Sequence, residues 1–106
     1  MEGYAYAWEY VVAPGREAEF VRLYGSKGAW VDLFRRAEGY RWTDLLEDRA
    51  TPGRFVTIDR WDSREAWEAF RVAFAAEFDA VDRAGSRLTT EERELGTFRI
   101  VSSRED

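Results

Sequence analysis

Apolar and polar positions along the chain follow two periods. From Tyr4 to Val12 the repeat is two: Tyr4, Tyr6, Trp8, Tyr10 and Val12 share one side, while Ala5, Ala7, Glu9 and Val11 share the other. A pleated strand sends alternate side chains to opposite faces, so this segment predicts a strand. Pro14-Gly15 closes it, and Pro14 suits the first turn of a helix. Between Arg16 and Tyr24 the spacing changes to i, i+3, i+4 with Phe20, Leu23 and Tyr24, the pattern of an amphipathic helix. Gly25-Ser26-Lys27-Gly28 interrupts it. The helical pattern resumes with Trp30, Leu33, Phe34 and Ala37, and Gly39 stands where a helix would stop.

Tyr40 to Glu47 predicts a second strand, residues 48–53 carry turn chemistry, and Arg54 to Trp61 predicts a third. On the third, Val56 and Ile58 face one way; Phe55, Thr57, Asp59 and Trp61 face the other. Asp62-Ser63-Arg64-Glu65 resembles a capping box with Asp62 as the N-cap. The helix it opens carries Trp67, Phe70, Phe74, Phe78 and Val81 down one side. Thr89-Thr90-Glu91-Glu92 reads as a second capping box for a short turn, Leu95 to Val101 as the last strand, and 102–106 as a frayed tail. The order β-α-β-β-α-β predicts an α+β, ferredoxin-like split βαβ fold: a four-stranded antiparallel sheet with both helices on one face, in one domain over 1–101.

Such a sheet leaves its other face bare. About 600 Å² of apolar surface there, at ~25 cal/mol/Å², would release on the order of 15 kcal/mol gross when covered, before association costs. The expected outcome is a two-fold homodimer. On the helix side, aromatic side chains from sheet and helix can leave a cleft between them, apolar with a few polar groups, which suits a small ligand.

Composition narrows the chemistry. The 106 residues contain no Cys, His, Asn or Gln, so a thiol nucleophile, a disulfide frame, a zinc finger, a Ser-His-Asp triad and a His-ligated haem cannot come from this chain alone. A net charge of −5 argues against a nucleic-acid partner. No run of ~20 apolar residues predicts a membrane span. The start, Met1-Glu2-Gly3-Tyr4, lacks the basic segment of a signal peptide, so the cytoplasm is the expected compartment.

Three segments carry a resemblance: residues 11–20 (VVAPGREAEF), 37–40 (AEGY) and 58–67 (IDRWDSREAW). In order and spacing the chain resembles the antibiotic biosynthesis monooxygenase family. The resemblance implies a dimeric α+β barrel. It also implies, for some members, cofactor-independent oxidation of aromatic quinols or anthrones, in which the substrate itself supplies electrons to O₂. That chemistry calls for no metal, flavin or thiol, so the implied cofactor set is empty. Haem-degrading members use a His ligand and a strand Asn, and some quinol oxidisers an Asn near the shared Trp. This chain has neither residue type, so only Trp61 carries over directly.

The candidate residues each have a functional and a structural reading. Trp61 can line a pocket and donate its indole N–H to a substrate oxygen, or pack as a staple on Ala66. Tyr6, Trp8, Phe34 and Trp42 can stack on a planar substrate, or fill the core or the dimer interface. Phe74 lies on the stripe of the second helix, either as pocket wall or as core. Asp59 can accept a proton if burial raises its pKa, or pair with an arginine. The expected function is a cofactor-free monooxygenase acting on a small aromatic quinol or anthrone. The alternative is a non-enzymatic ligand-binding or structural homodimer.

Overall fold

The computed structural model describes residues 3–104. Met1 and Glu2, and the last two residues of the expected tail, fall outside them. Four strands, β1 (Tyr4–Val12), β2 (Tyr40–Glu47), β3 (Arg54–Trp61) and β4 (Thr89–Arg99), form an antiparallel sheet in the order β2-β3-β1-β4. The first crossover contains α1 (Glu17–Tyr24) and α2 (Ala29–Phe34); the second contains α3 (Arg64–Ala73) and α4 (Ala75–Ser86). This is the ferredoxin-like α+β fold that the segment order implies.

The core is aromatic and lies between sheet and helices. The β1 row packs inward as its alternation requires: Tyr6, Tyr10 and Val12 are buried, and Tyr4 and Trp8 pack against the cluster. Phe20 stacks on Tyr24 at 4.2 Å between ring centroids, and Trp61 meets Phe34, Tyr40, Trp67 and Phe70 at 5.2–5.7 Å. Offset and edge contacts of this kind add to the gain from removing the rings from water.

Four local expectations need correction. Ser63, not Asp62, caps α3: its hydroxyl accepts from the Ala66 amide at 3.1 Å, while Asp62 accepts from Arg41 on the surface. The second helix is not continuous; at Phe74 (φ −118°, ψ 31°) it breaks into α3 and α4. α2 ends at Phe34, so Gly39 is not its cap. Gly39 has φ +89° and leads into β2, where an added Cβ would stand 2.6 Å from the Ala66 methyl. Finally, β4 begins at Thr89 rather than Leu95. The predicted capping box is strand, because β1 is long enough to pair Val11 with Glu91 and Val12 with Thr89.

The opposite sheet face is open. Leu46 and Phe98 are each about half exposed there (47% and 52%). Glu9 accepts from Arg54 and Arg93 across three strands at one end, and the Arg60 guanidinium lies 4.7 Å over the Trp42 ring at the other.

Candidate functional site

Between the β1 row and the helices lies a cavity of about 330 Å³. Its floor is the sheet: Tyr4, Tyr6, Trp8 and Tyr10 from β1, Thr43 from β2, and Thr57 and Asp59 from β3. Tyr24, Trp30, Phe34, Trp67 and Phe78 come down from the helices. The volume is at the small end of the range for ligand pockets, roughly 300–1,000 Å³.

Glu92 and Glu94 of β4 also line the cavity but are exposed; the buried carboxyl of the floor is Asp59. Asp59 is 5% exposed. Register places it opposite Tyr6 of β1 on one side and opposite Thr43 of β2 on the other. Thr43 Oγ1 donates to Asp59 Oδ1 at 2.5 Å. Burial pushes the Asp59 pKa up to about 6, against a smaller lowering by the Thr43 and Tyr6 hydroxyls. The carboxylate is therefore the stronger base for being desolvated, and it is ionised at neutral pH.

Around it stand neutral hydroxyl donors. Burial, reinforced by the Asp59 charge, pushes the Tyr6 phenol well above its usual range; burial also raises Tyr10 and Tyr24. These groups keep their protons at every physiological pH. Tyr10 shares a hydrogen bond with Thr57 at 3.1 Å. The indole N–H of Trp30 is buried near enough to the Tyr24 hydroxyl to oppose the rise in its pKa but makes no directed hydrogen bond, and the ring lines the cavity. At the rim, burial and the nearby Asp82 raise the pKa of Glu92. The Arg71 guanidinium carbon lies over Phe78, 3.7 Å from the ring centroid.

Among the residues singled out from the sequence, Tyr6, Trp8, Phe34 and Asp59 line this cavity together. Trp61 is 1% exposed and sits one layer behind, packed on Trp67 and Phe34. Its N–H is near enough to Tyr6 to oppose the rise in the phenol pKa, but makes no directed hydrogen bond. Trp42 does not join them. An irregularity between Tyr40 and Trp42 shifts the register by one residue, so Tyr40 packs inward on Trp61 while Trp42 turns to the open face beside Arg60. Phe74, at the helix break, lines a separate open groove of about 390 Å³ with Phe70 and Ala66, under the Arg36 guanidinium. Sequence reasoning missed Tyr10, Tyr24, Trp30, Thr43, Thr57 and Arg71. Tyr10 carried a usable signal, since it shares the β1 alternation with Tyr6 and Trp8. Thr43 carried none, because its inward side depends on the irregularity. No group of three potential metal ligands is assembled among the described residues.

The sequence profile of the antibiotic biosynthesis monooxygenase family matches residues 7–83. The chain belongs to this family. Solved structures agree in fold. SnoaB, a cofactor-independent oxygenase from Streptomyces nogalater, superposes with a TM-score of 0.78 at 19% identity, covering 100% of both chains. A putative antibiotic biosynthesis monooxygenase from Bordetella bronchiseptica gives 0.73 at 20% identity, over 96% of this chain and 100% of that one. One from Nitrosomonas europaea gives 0.71 at 16% identity, over 93% and 90%. No curated protein matches in sequence. Among the described residues, no helix is long and apolar enough to cross a membrane.

Proposed function

We propose that this family member is a cofactor-independent monooxygenase acting on a small aromatic quinol- or anthrone-type compound in the cavity between sheet and helices. The observation that carries the reading is the buried Asp59 carboxylate on the floor of an aromatic-walled cavity. The likeness of fold to a cofactor-independent oxygenase supports it.

For an anthrone the overall change is R₂CH₂ + O₂ → R₂C=O + H₂O. Asp59 takes a proton from the substrate, and the resulting carbanion is held by hydroxyl and indole donors such as Tyr6 and Trp30. Its electrons pass to O₂, forming a C–O bond at the same carbon. The peroxide takes up a proton and loses water to leave the ketone, and Asp59 gives up the proton it holds before the next turnover. Aromatic walls stack on the planar rings, and Trp61 holds Tyr6 and Phe34 in place from behind. The protein works as a homodimer, joined through the open sheet face, where Leu46 and Phe98 stand exposed.

Oxygen uptake with a panel of anthrones and quinols, above the uncatalysed rate, tests this. One O₂ consumed per anthrone, slowed in Trp61→Phe, is expected. A ligand that binds tightly without any uptake would favour the non-enzymatic reading instead.

A further inference from the structure

We propose that Tyr40, Thr43 and Asp59 form a hydroxyl chain that carries protons between the cavity and the outer side of β2. The inference rests on the function proposed above and adds two positioning residues to it.

The geometry orients the chain. Thr43 Oγ1 lies 2.5 Å from Asp59 Oδ1 and 2.8 Å from the Tyr40 hydroxyl. A threonine hydroxyl has one proton to donate and two lone pairs to accept with. An ionised Asp59 can only accept, so the threonine proton goes to it and the Tyr40 O–H must donate to Thr43. When Asp59 is protonated, every bond can reverse: Asp59 donates to Thr43, Thr43 to Tyr40, and Tyr40 outward. One reversal moves one proton along the chain and leaves each hydroxyl neutral.

The ends lie in different places. Asp59 and Thr43 line the cavity. Tyr40 does not; it is half-buried on the edge strand β2, within reach of the charges of Arg35 and Asp44. A planar ligand in the cavity would cut Asp59 off from water on that side. The chain then gives the carboxyl a second connection through which to reach the ionisation state set by solvent. The groups acting on Asp59 are the hydroxyls of Thr43 and Tyr6, and the Asp59 charge is in turn felt by Tyr6 and Tyr10 of β1 and Tyr40 of β2. The other charged groups lining the cavity are Arg71 and Asp82 on the helices and Glu92 and Glu94 on β4.

Two measurements test the chain, on variants that keep side-chain shape. The first is a carboxyl-carbon NMR titration of the ligand-free protein. Thr43→Val is expected to raise the Asp59 midpoint by about one to two pH units, the loss of one charge-assisted hydrogen bond. Tyr40→Phe raises it by a few tenths, roughly the cooperative share. The double variant matches Thr43→Val, because Tyr40 acts through Thr43. The second is turnover of 1,8-dihydroxyanthrone. Either variant is expected to lower kcat about tenfold with KM unchanged, the double variant no further, and Thr43→Ser to restore it. An unchanged midpoint in Tyr40→Phe, additive shifts in the double variant, or wild-type kcat in Tyr40→Phe overturns the chain. If the unmodified protein consumes no O₂, the enzymatic reading fails and the NMR titration alone decides whether the chain exists.

Discussion

Replacing Asp59 by Asn tests the electrostatics of the cavity floor without changing its shape. The carboxyl stands at about 6 against an unperturbed 3.8. A difference of about 2 pH units corresponds to about 3 kcal/mol. Because the folded-state value is raised, the stability linked to this group is fully present below pH 3.8 and is lost as pH rises through 6. Asparagine does not titrate and still offers an oxygen to Thr43. The variant and the parent are therefore expected to unfold alike near pH 3.8, and the variant to gain up to about 3 kcal/mol by pH 8. With a urea slope of about 2 kcal/mol/M, that separates the midpoints by about 1.5 M. Urea titrations followed by tryptophan fluorescence at pH 4, 5, 6, 7 and 8 resolve it. A gap that stays flat across this range, or an asparagine variant less stable at pH 8, would show that Asp59 is solvated or paired with a cation, and would refute the reasoning.

Other perturbations probe separate parts of the account. Gly85→Ala places a Cβ 2.2 Å from the Tyr24 hydroxyl inside a packed layer; thermal unfolding should show a net loss of about 1–2 kcal/mol despite better helix propensity. Ser63→Ala should cost about 1 kcal/mol in the same assay as the lost cap of α3, whereas Asp62→Ala, which removes an exposed ion pair with Arg41, should lie within about 1 kcal/mol of the parent. Light scattering at micromolar concentration should return twice the chain mass, and Leu46→Lys on the open face should reduce it to one. In each case an unchanged or opposite result counts against the contact named.

Much of this was legible because burial leaves a periodic trace. The β1 row of Tyr6, Trp8 and Tyr10 repeats every second residue since one face of that strand meets the core, and β3 places Asp59 on the same face as Phe55 and Trp61 for the same reason. What was hidden depends on single-residue irregularities. The shift between Tyr40 and Trp42 exchanges the faces of β2, taking Trp42 out of the cavity and bringing Thr43 in. The break at Phe74 separates it from Phe78 although both lie on one helical stripe. β4 was misread because most of its residues are exposed, and the inward-facing Glu92, Glu94 and Thr97 line the cavity rather than a dry core. A strand serving a polar rim lacks the apolar alternation by which strands are found.

The rate of oxygen consumption with 1,8-dihydroxyanthrone, measured from pH 5 to 8 for the parent chain and for Asp59→Asn, addresses the cavity carboxyl as the proton acceptor. The parent rate should rise through a midpoint near 6 and level off, and the variant should stay near the uncatalysed rate at every pH. A variant as fast as the parent, or a parent profile with no inflection in this range, would contradict it.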